Sequence, residues 1–196
     1  MECVKKLNKK EICLILSSME MDFNKMYEEK CIDIYHKHEW DHGYDGYTGF
    51  SGTRRQFYFD FTEIMNFLED YIKQMNIREV ILTPLHQCNY FNGVSDIVED
   101  IYTEINDFLK LNSIDKRYES GLRVNIEENW DIITAICEGA FRDISNIVLV
   151  FEEDSSVFVP HHHMNYIIYS KHLKEKEKIL KEIISRHKNI QMYVEK

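Results

Sequence analysis

Three adjacent histidines, His161, His162 and His163, follow one of only two prolines in the chain. Neutral imidazole binds zinc and other divalent metals, and it also transfers protons near neutral pH. Successive side chains of a strand point to opposite faces, so the strand pattern predicts that His161 and His163 form one pair and that His162 points away. The triplet alone therefore contains no three-ligand site, and unless other histidines come within reach it is the polar end of a strand with a structural or surface role.

A second pair of histidines, His36 and His38, has the same spacing and is expected to share one face of another strand. Zinc needs three or four ligands at about 2.0–2.2 Å, and two neighbouring strands that each supply a pair would meet that need. His86 closely follows the other proline at the end of a third predicted strand, which suggests that it lies at the same end of the sheet. The candidate ligands for zinc or another divalent metal are His36, His38, His86, His161 and His163.

A glycine-rich segment, 43–52, has glycine at every third position, and an aromatic residue follows three of these glycines. Glycine gives backbone freedom, while tyrosine and phenylalanine offer a large contact area with few torsions to fix. The pattern predicts an exposed loop that contacts a partner. The alternative is an irregular hairpin loop that folds back on its own sheet and buries its rings.

An acidic turn at 152–154 offers a second surface for a partner. Its carboxylates could equally bind a divalent cation, act as the acid beside the histidines, or form a solvated turn. Taken with the glycine-rich loop, the predicted partner contacts are Tyr44, Asp45, Tyr47, Phe50, Glu152, Glu153 and Asp154.

The charge of the chain restricts the class of partner. The formal net charge is −10, and the acidic excess is concentrated in residues 61–160. Such a surface repels nucleic-acid phosphate and attracts a basic protein. The sequence has no apolar run long enough to cross a bilayer. Five cysteines without a C-x-x-C pair are typical of reduced thiols, which predicts a cytoplasmic protein.

The elements that must position these residues follow from hydrophobic periodicity. A helix is predicted over 8–29 with Asn8 as its cap, followed by a hairpin whose second strand covers 54–61. From residue 79 onward, strands alternate with helices, which predicts at least partly parallel pairing. The predicted fold is α/β (or α+β), with a mixed sheet of about five to seven strands and about five helices. We expect one compact domain over 1–196, in which a helix and hairpin (1–61) extend an α/β core (62–196).

No nucleotide-binding or hydrolase fingerprint is present in the sequence. In general profile the chain is similar to small acidic bacterial immunity proteins, which bind and neutralise a toxin, commonly a basic nuclease. This profile predicts a non-enzymatic protein without a cofactor that binds a basic protein partner. The alternatives are a metal-dependent, hydrolase-like enzyme that uses the clustered histidines, and a scaffold subunit of a larger assembly. The sequence does not indicate an oligomeric state.

Overall fold

The computed structural model describes residues 4–22, 25–26, 29–37, 54–84, 99–115, 118–142 and 147–195. The helices are α1 (Lys9–Ser18), α2 (Arg54–Met75), α3 (Glu99–Leu111), α4 (Trp130–Phe141) and α5 (Leu173–Ile184). The strands are β1 (Val4–Leu7), β2 (Ile32–His36), β3 (Glu79–Pro84), β4 (Gly121–Asn125), β5 (Ile147–Phe151), β6 (Ser156–His161), β7 (Asn165–Ser170) and β8 (Ile190–Val194).

The eight strands form one sheet in the order β1-β4-β3-β5-β6-β7-β2-β8. The predicted class, an α/β fold with a single sheet and five helices, is confirmed, and the strand number slightly exceeds the predicted range. Every pairing among these strands is antiparallel, so the expected parallel pairing is wrong. Where a helix connects two strands that run the same way, another strand lies between them: α4 joins β4 to β5 across β3, and α5 joins β7 to β8 across β2.

The sheet carries a hydrophobic core on each face. The larger core lies between the sheet and helices α2 to α5, and the smaller core is covered by α1. Alternation along each strand divides the side chains between the two cores. In β3, for example, Val80 and Leu82 belong to the larger core and Ile81 to the smaller one. Both faces of the sheet are thereby covered by helices.

Helix α1 begins where its sequence predicts but ends early. Asn8 caps it: the Asn8 side-chain oxygen accepts from the Glu11 backbone N–H at 3.1 Å, and the Glu11 carboxylate accepts from the Asn8 N–H at 2.8 Å. This capping box satisfies two N–H groups that the helix leaves without intrahelical partners. The predicted cap is confirmed, whereas the helix ends at Ser18 rather than near residue 29.

The predicted second strand of the hairpin, 54–61, is wrong because these residues begin helix α2. Phe57 and Phe61 satisfy a strand period of two but are also four residues apart, the spacing of neighbours on a helix. Their rings stack with centroids 5.9 Å apart, and both are buried. Phe59, which the strand prediction placed on the same face, is 52% exposed. The helix continues the buried face to Ile72.

Candidate metal centre

Three strands end together at one end of the sheet. Pro84 of β3 pairs with Ile147 of β5. The register between β5 and β6, extended along the strands, places Ile147 opposite Pro160 of β6. Pro160 pairs with Tyr166, which in turn pairs with Ile34 of β2. The two prolines therefore lie at the same end of the sheet, as predicted, and His36 and the histidine triplet lie just beyond this row.

The three imidazole rings of the triplet lie together, which corrects the prediction that His162 points away. Strand β6 ends at His161, and residues 162–164 form the turn into β7. Met164 closes this turn with a left-handed backbone, at φ 54°. Because strand alternation stops at His161, the ring of His162 lies 4.1 Å from that of His161 and 4.2 Å from that of His163, measured between centroids.

The triplet has the donor set and the spacing of a metal site. One ring nitrogen from each histidine lies within 4.8 Å of the other two, and all three residues are half-buried. A tetrahedral zinc with nitrogen ligands at about 2.0–2.1 Å holds those nitrogens about 3.4 Å apart. The rings of His161 and His163 are stacked, with centroids 5.0 Å apart and 15° between their planes, so they must rotate for their in-plane lone pairs to meet at one ion.

A carboxylate lies next to the triplet on the same face of the sheet. His161 pairs with Asn165, whose side-chain N–H donates to Asp33 at 2.7 Å. Burial raises the pKa of the Asp33 carboxyl, while the hydrogen bond from Asn165 and the charge of His163 oppose this rise. Histidine ligands are commonly oriented by neighbouring carboxylates. Asp33 therefore interacts electrostatically with His163 and is hydrogen-bonded to Asn165, the cross-strand neighbour of His161.

His36 lies on the opposite face of the sheet from the triplet. His161, Asn165 and Tyr35 are cross-strand neighbours and share one face. His36 follows Tyr35 directly, so its side chain points into the larger core. The metal-enzyme alternative required His36 to converge with His161 and His163, and strand alternation places them on opposite faces of the sheet instead. His38 and His86 lie outside the described residues.

The partners that His36 does have were not predicted. Its Nε2 lies 2.6 Å from a Glu63 oxygen and 3.6 Å from an Asp60 oxygen, and both carboxylates belong to α2. Acidic residues three apart share a helix face, which was the available signal. The signal was missed because residues 54–61 were interpreted as a strand, which separated Asp60 from the helix that carries Glu63.

The acidic turn is occupied by contacts within the protein. Glu152 forms an ion pair with Arg123, and the Glu153 carboxylate accepts from the Arg78 backbone N–H at 2.9 Å. Asp154 is buried in an ion pair with Lys176. The acidic turn lies immediately before β6, and His161 is the last residue of β6. The two sites are therefore separated by the length of this strand, six residues at about 3.3 Å each. These carboxylates do not act on the triplet.

The other predicted partner contacts, Tyr44, Asp45, Tyr47 and Phe50, lie outside the described residues. Among the helices that the structure describes, none has the length and apolar content to cross a bilayer. No family model matches this sequence, and comparisons with curated proteins and with solved structures likewise give no match.

Proposed function

We propose that the protein binds a divalent transition metal through His161, His162 and His163. The observation that carries this proposal is the convergence of three imidazoles at the β6–β7 turn, with their ring nitrogens within 4.8 Å of one another. Imidazole ligands favour zinc, copper and nickel, whereas magnesium and calcium prefer oxygen. Zinc is the ion of this group that serves most often with three histidine ligands.

A metal held by three histidines retains a coordination position for water or a substrate. Bound zinc lowers the pKa of its water to about 7 and polarises carbonyl or phosphoryl oxygens. The reaction class that fits this centre is metal-assisted hydrolysis, which agrees with the enzyme alternative drawn from the sequence. The half-buried position of the triplet allows a substrate to reach the metal.

The test is the zinc stoichiometry of the full chain, measured by elemental analysis after dialysis. Replacing the triplet by H161A/H162A/H163A is expected to lower the stoichiometry by one equivalent, and each single variant to weaken zinc binding at least tenfold. His172→Ala is the matched control, because His172 is exposed and its side chain does not cap α5. An unchanged stoichiometry in the triple variant, or an equal loss in H172A, would overturn the proposal.

A second candidate function is binding of a basic protein, as in immunity proteins. The net charge of −10 supports it, as do exposed carboxylates at the end of the sheet opposite the histidines. Glu79, Glu127, Glu128, Glu152 and Glu153 are exposed around the start of β3 and the ends of β4 and β5.

This candidate is tested by co-expression with the product of an adjacent reading frame, where that product is basic. A stable complex that dissociates as salt rises, and that is weakened by Glu127→Lys and Glu128→Lys, supports it. The absence of a complex at low salt contradicts it.

A further inference from the structure

A second group of metal-ligating side chains lies on the opposite face of the sheet from the triplet. His36 is the last residue of β2, and Asp60 and Glu63 lie one turn apart on α2, which packs against β2. One ligand atom from each of the three residues lies within 4.8 Å of the others. Both carboxylates approach the same imidazole nitrogen, at 2.6 Å and 3.6 Å.

The burial of this cluster makes its charge important. The side chains of His36 and Asp60 are 0% exposed, and that of Glu63 is 27% exposed. A buried carboxylate is costly unless its charge is compensated. A divalent cation compensates the charge of two carboxylates beside a neutral imidazole, so the three groups together are suited to hold a cation.

Both carboxylates are fixed by amide side chains. The Gln56 side-chain N–H donates to Asp60 at 2.7 Å, and the Asn189 side-chain N–H groups contact the two Glu63 oxygens at 2.8 and 2.9 Å. Partners of this kind orient metal ligands and are as characteristic of metal sites as the ligands themselves. Asn189 immediately precedes Ile190, which pairs with His36, so one pair of strands positions both His36 and this amide.

We propose that His36, Asp60 and Glu63 bind a second divalent cation, independent of the metal at the triplet. One nitrogen and two oxygen ligands favour manganese, iron(II) or zinc over copper. Because Glu63 is partly exposed, one side of the cluster is open to water. An ion enters from this side, and water molecules supply its remaining ligands. The cluster is therefore a mixed nitrogen and oxygen site, chemically different from the all-imidazole triplet.

The experiment uses the full chain carrying H161A/H162A/H163A, so that its outcome does not depend on the triplet. Mn²⁺ is titrated in excess Mg²⁺, which occupies exposed carboxylates, and free Mn²⁺ is measured by electron paramagnetic resonance. One equivalent of bound Mn²⁺ is expected. Adding Asp60→Asn or Glu63→Gln is expected to weaken its binding at least tenfold.

The chain offers a matched control on the same helix. Asp70 also contacts a histidine, with 3.1 Å between its oxygen and the His187 Nε2, but among the residues that the structure describes the pair belongs to no three-ligand group. Asp70→Asn is expected to leave Mn²⁺ binding unchanged. The proposal is overturned if the folded triple variant binds no stoichiometric Mn²⁺, which would leave the cluster an ion-pair network. It is also overturned if D70N weakens binding as much as D60N and E63Q. The Mn²⁺ stoichiometry is measured in a chain whose His36, Asp60 and Glu63 are unchanged. This part of the test therefore remains valid even if D60N or E63Q fails to fold.

Discussion

Among the lysines that the structure describes, Lys176 stands out because only 5% of it is exposed. Its ammonium forms an ion pair with Asp154, which also accepts hydrogen bonds from the hydroxyls of Tyr71 and Ser156. Burial lowers the pKa of Lys176 to about 8, and the neighbouring carboxylate opposes this effect by favouring the charged form. The pair links α5 to the turn between β5 and β6.

Removing one member of this pair leaves the other buried and uncompensated. We expect Lys176→Met to lower the free energy of unfolding by about 3–5 kcal/mol, measured in a urea titration. The double variant K176M/D154N removes both charges and is expected to lose less than the sum of the two single variants. Additive losses would show that the two side chains do not interact.

The cysteines differ in environment, and their reactivity is expected to differ accordingly. Cys137 is fully buried, and burial raises the pKa of its thiol to about 12. Burial, aided by the hydrogen bond to Glu195, raises the pKa of Cys31 to about 11, whereas Cys13 is exposed. The thiolate is the reactive form. In single-cysteine variants at pH 8, a thiol reagent is expected to label Cys13 fastest of these three cysteines, and Cys137 only after unfolding.

The raised pKa of Cys137 also makes the free energy of unfolding depend on pH. The pKa of Cys137 is raised in the folded protein from a reference value of 9.0, so its contribution is complete below pH 9 and is lost as pH rises toward 12. Cys137→Ala is expected to reduce the loss of stability across this window. Rapid labelling of native Cys137, or an identical pH profile in C137A, would contradict the assignment.

At the scale of residues, the sequence indicated that histidine chemistry was concentrated near Pro160 but not which rings would meet. His161 and His163 were predicted from alternation, and His162 joined them because a turn replaced the strand one residue after Pro160. Whether a strand ends at its last polar residue or continues depends on its pairing with neighbouring strands. The local hydrophobic pattern carries no information about this pairing.

Helix α2 shows how one misassigned element conceals a site. Its first residues satisfy both a strand and a helix period, and only the continuation of the apolar face to Ile72 decides between them. With the helix in place, Asp60 and Glu63 face β2 and meet His36. A site whose side chains come from two secondary-structure elements can be predicted only when both elements are assigned correctly.

The helix assignment has a direct test in the free energy of unfolding. Phe57→Ala removes a buried ring and is expected to cost about 3–5 kcal/mol, whereas Phe59→Ala removes a half-exposed ring and is expected to cost less than about 1 kcal/mol. A strand would place both rings on one face and make the two losses similar. Chemical denaturation of the two variants distinguishes these outcomes.

Across the whole molecule, the sheet has two chemically different ends. Histidines lie where β2 and β6 finish, and exposed carboxylates lie where β4 and β5 finish. The fold class and the number of helices were predictable from periodicity, because most helices and strands carry their own apolar face, whereas the start of α2 was not. The strand order was not predictable, because it depends on contacts between residues more than a hundred positions apart.

Metal binding at the triplet should stabilise the whole molecule by mass action. Zinc at a hundredfold excess over its Kd contributes about 2.7 kcal/mol. For a chain of this size that corresponds to a rise in Tm of about 5–10 °C, measured by calorimetry with and without chelator. H161A/H162A/H163A is expected to show a much smaller rise. An equal rise in this variant would place the stabilising metal elsewhere.

The position of β2 in the sheet determines how far synthesis must proceed before this strand can pair. Its two neighbours, β7 and β8, follow it by more than a hundred residues. A nascent chain on the ribosome therefore holds His36, Asp60 and Glu63 long before β8 arrives with Asn189 to fix the Glu63 carboxylate. Pairings this distant in sequence close slowly, because the long intervening loop must be ordered first. We expect the cluster at His36 to form only after β8 has been translated, so that a chain truncated before β8 would lack both the edge of the sheet and the Asn189 contacts that fix Glu63.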